Sequence, residues 1–323
     1  GEIKRKEDKF MPNIDIKIDY LSAVFPMHID FNDSLVFKVH EEVEEFKNYF
    51  KLDKPKVDKS NYAKNNYTYE YKFDDMIILR LDGPKDKNHN RTCQLEMKGQ
   101  GCRYFESLNT GKTWLDFIKY LVIDKQAKIK RIDIAVDDLK GDVINLDWLF
   151  HKSIKELYTS VFRSKPIPIG SGSVLETIQY GSYQSHIQLV IYDEKAERIA
   201  RKEQCEYIYW LRYEMRFREI KALEFVDTLI EYFKYHEFNK ENFKKFSMMQ
   251  LYKIIDFKVD NKYSKQDQKK QEIDPLWLEF LGINVKGTLT KTEKFESDYE
   301  TYSKYAIPFA VPLLVILYEK NKK

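Results

Sequence analysis

The sequence predicts an α+β fold in which helices cover one face of a mainly antiparallel sheet. Short segments alternate apolar and polar residues with a period of two, as half-buried strands do. Between them lie segments with apolar residues at helical spacing, and the order of strands and helices in the first half recurs in the second. This recurrence predicts two pseudo-symmetric halves within one domain, residues 1–237, followed by a mostly helical region, residues 238–323.

The first half begins with a strand that runs from Ile14 towards Phe25, in which isoleucines alternate with charged residues. Pro26 is expected to end this strand, because proline cannot donate a hydrogen bond to a sheet ladder. The later elements of this half are a helix capped within residues 32–34, a hairpin over residues 67–81, a strand over 92–98, a helix over 112–123 and a strand over 130–138.

The second half has a similar series of elements. Gly181 and Ser182 form a tight turn between its first two strands. The predicted elements are a helix over residues 145–158, strands over 174–180, 187–192 and 208–218, and a helix over 221–235.

Composition places the chain among globular proteins. Of its 323 residues 43% are hydrophobic and 15% aromatic, and the formal net charge is +3, so any surface for nucleic acid must be local. Cys93, Cys102 and Cys205 lack zinc-site spacing and the first residues form no apolar signal segment, so a cytoplasmic protein without disulfides is expected. The apolar tail over residues 306–318 contains two prolines and is too short for a bilayer of about 30 Å, which favours a core or dimer contact.

Acidic residues stand on the polar faces of three predicted strands. The strand RIDIAVDD places Asp133 and Asp137 on one face, and Glu96 and Glu214 occupy polar faces of two others. Carboxylate oxygens suit Mg²⁺ or Mn²⁺, and the arginines beside them suit phosphate. The alternation alone favours ordinary polar faces whose opposite charges pair across strands.

Tyr192 ends the second strand of the predicted hairpin, directly before the charged segment DEKAER. A tyrosine in such a place can serve as a nucleophile, but its phenol has an ordinary pKa of about 10 and needs a metal or a cation to activate it. The chain has 23 tyrosines, so a purely structural role for Tyr192 stays open at this point.

Three blocks of sequence, RIDIAVDD, YGSYQSHIQLVIYDEKAER and WLRYEMRFR, occur in this order and at separations that resemble the rolling-circle plasmid replication initiators of the staphylococcal Rep_trans family. The resemblance covers roughly residues 14–235 in element order. One departure concerns the hairpin turn, where the family has an arginine two residues after the glycine and this chain has Tyr183.

The resemblance implies a metal-dependent enzyme that nicks one strand at a plasmid double-strand origin, which is supercoiled or cruciform. By motif position Tyr192 is the nucleophile, which forms a 5′-phosphotyrosine link and leaves a 3′-hydroxyl primer, while Lys195 and Arg212 lower the phenol pKa or neutralise the transition state. The family also implies a homodimer that supplies a second tyrosine, and a host helicase and polymerase as partners. The implied ligands of Mg²⁺ or Mn²⁺ are Glu96, Asp133 and Glu214, with Asp137 as a further candidate.

The region after Phe238 is expected to recognise the origin sequence, because the resemblance implies that origin specificity lies there. Its lysines recur at steps of three and four residues and would form one basic stripe on a helix. A solvated, partly disordered linker fits the same composition. Phosphate contacts are predicted for Lys258, Lys262, Lys265, Lys269 and Lys270, and base contacts for Asn261, Gln266 and Gln268.

Three other functions stay open from the sequence. A relaxase-like protein of a mobile element would use the same covalent step at a transfer origin. A sequence-specific DNA-binding protein without catalysis would need none of the acidic residues. A carboxylate–metal nuclease that uses water would form no covalent adduct with DNA.

Overall fold

The computed structural model describes residues 14–28, 34–52, 56–58, 66–108, 110–171, 174–260 and 271–283. The strands in these ranges are β1 Ile14–Met27, β2 Lys56–Asp58, β3 Tyr69–Phe73, β4 Ile77–Leu81, β5 Arg91–Met97, β6 Lys128–Asp138, β7 Tyr158–Ser160, β8 Ile167–Ser171, β9 Val174–Tyr180, β10 Ile187–Asp193, β11 Leu211–Arg218 and β12 Ile255–Phe257. Ten of them form one sheet in the order β2-β3-β4-β5-β1-β6-β11-β10-β9-β8, and β12 pairs with β7.

The sheet confirms the predicted α+β fold, and its topology repeats. In each half the first strand lies near the middle of the sheet and the last strand returns to pair with it, as β5 does with β1 and β11 with β6. The two first strands, β1 and β6, pair antiparallel at the midline. The recurrence of element order in the sequence therefore corresponds to a recurrence of strand order in the sheet.

Most of the helices cover the apolar face of the sheet. Their bounds are α1 Leu35–Phe50, α2 Gly99–Ser107, α3 Trp114–Lys119 with a π-helical continuation over Tyr120–Asp124, α4 Leu146–Ile154, α5 Glu194–Ala200, α6 Ile220–Tyr232, α7 Lys240–Ile254 and α8 Pro275–Phe280. Aromatic contacts join the layers: Phe25 of β1 stacks on Phe46 of α1, and Phe217 of β11 stacks on Phe225 of α6. Because this layer occupies the apolar face, the charged side chains gather on the other face.

Helix starts follow the capping residues of the sequence. Ser34 accepts a hydrogen bond from the Phe37 amide and begins α1, while Thr113 and Asp116 form a capping box at α3. Asn145 caps α4 through the Trp148 amide. These caps explain why the predicted helix starts agree with the structure to within one or two residues.

Several predicted boundaries differ from the structure: the strand predicted over residues 208–218 begins at Leu211, the helix predicted over 221–235 ends at Tyr232, and two others differ as follows. Strand β1 continues through Pro26 to Met27. Among the described residues, β1 pairs beyond Val24 with β5 alone. The amide hydrogen that proline lacks therefore interrupts no ladder there. The predicted helix over residues 145–158 ends at Ile154, and the chain enters β7 at Tyr158. Sequence reasoning also missed α2, whose glycine-containing start has weak helix propensity.

The described part of the C-terminal region packs on the same core. Phe246 of α7 contacts both Phe225 and Tyr232 of α6, and Trp277 of α8 lies against Phe257 of β12. The division at residue 237 stays a prediction. Among the described helices none has the length and apolarity needed to cross a membrane. The apolar tail over residues 306–318 lies outside the described residues.

Candidate active site

The polar face of the sheet brings together the three sequence blocks. Arg212 of β11 lies between Asp137 of β6 and Tyr192 of β10 in the strand register, and Arg216 lies opposite Asp133. Because side chains alternate along each strand, all of these residues point to the same face. The site is therefore built across β10, β11 and β6, near the middle of the sheet.

Tyr192 is half-buried and donates a hydrogen bond to Oε2 of Glu214 at 3.4 Å. Burial raises the pKa of its phenol well above the ordinary value, and the charges of Glu214, Glu194 and Glu197 add to this, whereas Arg212 opposes it. The hydroxyl is therefore protonated at neutral pH. Arg212 lowers the pKa of Tyr192 as expected, but burial and the carboxylates outweigh it in the protein alone.

Of the two predicted activating cations, the structure places Arg212 beside Tyr192. Lys195 lies in the first turn of α5, where its ammonium donates to the Ile208 carbonyl at 2.9 Å. Arg212 is thus the cation that the fold holds next to the phenol.

Asp133 and Glu214 form a buried pair of carboxylates. Arg131 binds Asp133 through Nε at 2.9 and 3.0 Å, and Arg216 binds Glu214 through Nε at 2.9 Å and Nη2 at 2.8 Å. Burial raises the pKa of Asp133 to about 7, Glu214 contributes in the same direction, and Arg131 opposes both. Burial also acts on Glu214, but its hydrogen bonds with Arg216 and with Asp133 outweigh this and keep its pKa below the ordinary value.

Asp137 positions Arg212. Its carboxylate is fully buried and receives Nε and Nη2 of Arg212 at 2.6 and 3.0 Å, and Nζ of Lys17 at 3.2 Å. Trp210 covers the arginine, with its ring centroid 5.5 Å from the guanidinium carbon. Two cations, Arg212 and Lys17, neutralise Asp137, whereas Asp133 and Glu214 are each held by one arginine, so Asp137 is the poorer candidate for a metal ligand.

Glu96 lies on the same face, on the other side of β1. It accepts hydrogen bonds from the Tyr20 hydroxyl at 2.9 Å and from Nη1 of Arg80 at 2.7 Å. Tyr20 is opposite Asp133 in the register, so its ring stands between the two carboxylates. Of the four predicted metal ligands the structure therefore brings Asp133 and Glu214 together and leaves Glu96 and Asp137 in separate ion pairs.

Among the described residues no three histidine, cysteine, aspartate or glutamate side chains converge in a geometry that would by itself hold a metal ion. Asp133 and Glu214 nevertheless fit one in part. They are adjacent carboxylates, and burial suppresses the ionisation of Asp133. A bound divalent cation would stabilise the ionised form of both. The donor set consists of oxygen atoms, as Mg²⁺ and Mn²⁺ prefer.

The predicted DNA-reading stripe falls mostly outside the described residues, namely at Asn261, Lys262, Lys265, Gln266, Gln268, Lys269 and Lys270. Lys258 is described, and the prediction that it lies on an exposed stripe is wrong. Its side chain is buried and pairs with Asp256 at 3.1 Å, because Lys258 extends β12 through a bridge to Ile273 and points inward there.

Two acidic residues near Arg212 were missed from the sequence. Oδ2 of Asp19 lies 3.4 Å and Oε2 of Glu194 lies 3.5 Å from Nη1 of Arg212. Asp19 reaches this position through a register shift in β1 between Ile18 and Tyr20, which the sequence pattern does not indicate. The sequence signal that could have found Glu194 is its position two residues after Tyr192, within the DEKAER segment.

Two family models match the chain. The model of the replication initiation factor family matches residues 127–323, which include all three sequence blocks. The model of the rolling circle replication initiation protein N-terminal domain matches residues 15–120. The chain therefore belongs to the replication initiation factor family, and the resemblance seen in the sequence is confirmed.

Two relatives illustrate the likeness. The chain is 29% identical over 240 residues to a putative DNA relaxase NicK of Bacillus subtilis strain 168, an alignment that covers 71% of this chain and 62% of that protein. It thus spans about three fifths of that relative's length. The solved structure of a rolling circle replication initiator protein from Geobacillus stearothermophilus superposes with a TM-score of 0.63 at 22% identity, covering 84% of this chain and 96% of the other, which supports the fold.

Proposed function

We propose that this protein initiates rolling-circle replication by nicking one strand of a plasmid double-strand origin, with Tyr192 as the nucleophile. The observation that carries the proposal is the hydrogen bond from the Tyr192 hydroxyl to Glu214, within a buried carboxylate pair flanked by arginines. This constellation lies on the segments that match the family.

In the proposed step the Tyr192 oxygen attacks the phosphorus of the scissile phosphodiester. The bond from phosphorus to the 3′-oxygen breaks, which leaves a 5′-phosphotyrosine link and a 3′-hydroxyl that takes its proton from solvent. The phenolic proton moves to the Glu214 oxygen that already accepts its hydrogen bond. Because the phenol of the free protein has a raised pKa, the attack depends on this proton transfer and on positive charge beside the oxygen, which Arg212 supplies and to which a divalent cation would add.

Other residues hold this geometry. Asp137 fixes Arg212 beside the phenol, where its charge favours the phenolate. Arg131 and Arg216 flank the carboxylates and are partly exposed, so they can meet phosphate oxygens. Asp133 and Glu214 would hold Mg²⁺ or Mn²⁺, and this ion would polarise the phosphate and stabilise charge on the leaving 3′-oxygen.

The proposal extends to the partners. Residues 261–270 would contact the origin DNA, with lysines on phosphates and the amide side chains on bases. A homodimer would supply the second tyrosine for termination, since one hairpin carries one such motif. The 3′-hydroxyl would be extended by a host polymerase behind a host helicase.

A second candidate is a relaxase that acts at the transfer origin of a mobile element. The alignment with a putative DNA relaxase favours it. The covalent step would be the same, so the two functions differ in the DNA sequence recognised.

The test uses a supercoiled plasmid and a single-stranded oligonucleotide that carry the cognate origin, with Mg²⁺ or Mn²⁺. The reaction is stopped in denaturant and examined for a protein–DNA adduct in the wild type, Tyr192→Phe and Tyr180→Phe. Tyr180 is a suitable control because its hydroxyl, on the same hairpin, is buried and bonded to Ser153. An adduct lost in Tyr192→Phe alone is expected. Cleavage without an adduct would show that water is the nucleophile and refute the proposal.

A further inference from the structure

A second polar constellation lies at the opposite end of the β10–β11 ladder from Tyr192. Arg218 is the last residue of β11, six positions beyond Arg212, which pairs with Tyr192. At about 3.3 Å per residue this places Arg218 roughly 20 Å from the position of Tyr192 along the strand. Both residues belong to the same face, because an even number of positions separates Arg218 from Arg212.

Positive charge is concentrated at this end. Arg218 lies directly opposite Arg131 in the register with β6, and Arg216 lies two residues before it. Like charges directly opposite each other on a sheet are destabilising. Arg131 and Arg216 each have a carboxylate partner, Asp133 and Glu214. Among the described residues no carboxylate forms an ion pair with Arg218, whose hydrogen bonds go to neutral oxygens.

The hydrogen-bond donors of Arg218 are only partly used. Nη1 donates to the Ser185 carbonyl at 3.2 Å, and Nη2 donates to Oε1 of Gln188 at 3.2 Å. That same Gln188 oxygen also accepts from Nη1 of Arg216 at 3.3 Å. The buried Nε2 of Gln188 has no acceptor among the described residues. The hydrogen-bond donors of Arg216, Arg218 and Gln188 therefore outnumber the acceptors around them, and a ligand with several acceptor oxygens would satisfy the unused donors.

Burial and the neighbouring arginines act against the charge of Arg218. Its pKa lies below the ordinary value, first because it is partly buried and then because of Arg131 and Arg216, although Asp133 opposes this. The described residues therefore compensate the positive charge of Arg218 only in part. A bound anion would complete that compensation.

Tyr183 adds an aromatic surface to the cluster. It stands in the β9–β10 turn with 74% of its side chain exposed, and its ring centroid lies 5.6 Å from the guanidinium carbon of Arg218. A large exposed aromatic ring beside a cation is the combination with which proteins bind single-stranded nucleic acid, through base stacking and phosphate contact. The turn thus presents an aromatic ring, and the neighbouring strand presents a guanidinium beside it.

We propose that Arg218 and Tyr183 form a subsite for single-stranded DNA, in which Arg218 binds a backbone phosphate and the Tyr183 ring stacks on a base. The inference rests on the proposed function in taking DNA as the ligand. The subsite holds the strand several nucleotides from the scissile phosphate and so sets its direction across the polar face. Recognition is independent of sequence, because every base has a face that can stack.

The test measures binding of a fluorescein-labelled oligothymidylate by anisotropy, in the full chain with Tyr192→Phe so that cleavage cannot interfere. In this background Tyr183→Ala is expected to weaken binding about tenfold to a hundredfold, while Tyr183→Phe retains most of it. Arg218→Gln is expected to weaken binding and to reduce the slope of log affinity against log salt by about 0.7, the value for one phosphate contact on a single strand.

Tyr235→Ala is the matched control, because Tyr235 is also 74% exposed but follows α6 in the helical layer. It should bind like the parent. Equal binding by the parent, Tyr183→Ala and Arg218→Gln overturns the inference, and so does a parent that does not bind the oligonucleotide. A protein that shows the expected pattern here yet forms no adduct with origin DNA keeps the subsite and loses the nicking mechanism.

Discussion

The two halves of the sheet contain similar sets of residues in different electrostatic states. In the first half Tyr20 donates to Glu96, and Arg80 binds the same carboxylate. In the second half Tyr192 donates to Glu214, and Arg216 binds that carboxylate. Each half therefore joins a tyrosine hydroxyl, a glutamate and an arginine on the polar face.

What differs is the neighbour of the glutamate. Arg80 bridges Glu96 to Glu70 at 2.7 Å, and although burial acts in the opposite direction, the hydrogen bonds from Arg80 and Tyr20 keep the pKa of Glu96 below its ordinary value. Glu214 instead adjoins Asp133, whose pKa burial raises to about 7. Strongly perturbed acids cluster at functional sites, so the second half is the one expected to perform chemistry.

The largest expected difference concerns the two glutamates. Glu214→Gln should lower the single-turnover cleavage rate of a single-stranded origin oligonucleotide about a thousandfold, or roughly 4 kcal/mol, because the phenol loses its acceptor and the cation loses a ligand. Glu96→Gln should stay within about threefold of the wild type, since its hydrogen bonds go to Tyr20 and Arg80 and not to Tyr192 or Glu214. Similar losses in both variants would show that the halves are not functionally distinct.

Buried ion pairs give the next comparison. Asp137→Asn removes the charged partner of both short hydrogen bonds of Arg212 and leaves this buried guanidinium only the longer contacts to Asp19 and Glu194, so the free energy of unfolding should fall by about 3 kcal/mol. Glu70→Gln should cost about 1 kcal/mol, because Arg80 keeps Glu96 as a charged partner. Urea denaturation followed by fluorescence measures both. A smaller loss in Asp137→Asn than in Glu70→Gln would contradict the assignment of Asp137 as the anchor of Arg212.

The sequence predicts which strand face each site residue occupies, but it does not predict which residues lie beside one another across strands. Alternation predicts that Asp133, Arg212 and Glu214 occupy polar faces, and β6 and β11 confirm this. Alternation cannot give the register between strands, which separates Glu96 from Asp133 by the Tyr20 ring. The bulge at Asp19 and the inward direction of Lys258 likewise depend on pairing between distant segments.

The pH dependence of stability should have opposite signs in the two halves when no metal is bound. Because the folded pKa of Asp133 is raised from 3.8 to about 7, its stabilising contribution is complete below pH 3.8 and is lost as the pH rises through about 7. The slope should reach about 1 kcal/mol per pH unit and should vanish in Asp133→Asn.

Glu96 provides the opposite case. Its pKa is lowered, so its contribution is present above the ordinary value of 4.5 and is lost as the pH falls through the folded pKa. Glu96→Gln should therefore flatten the stability profile only on the acidic side. Urea denaturation in EDTA across pH 3 to 8 measures both profiles, and identical profiles for Asp133→Asn and the wild type would contradict the raised pKa.

The smallest expected effect concerns Tyr20. Tyr20→Phe removes one hydrogen bond to Glu96 and should lower the free energy of unfolding by about 1 kcal/mol. The yield of covalent adduct should not change. If Tyr20→Phe were as stable as the wild type but formed no adduct, the nucleophile would be assigned to the first half of the sheet.

The most direct test of the account is to identify the residue that carries the DNA. Adduct formed by the wild type on the single-stranded origin oligonucleotide is digested with nuclease and trypsin, and the peptide that carries the nucleotide is sequenced by mass spectrometry. Tyr180, Tyr183 and Tyr192 lie between the tryptic sites at Arg163 and Lys195 and share one peptide, so fragmentation of that peptide must distinguish them. The account predicts a phosphonucleotide on Tyr192. A phosphonucleotide on Tyr20, Tyr180 or Tyr183 would contradict it.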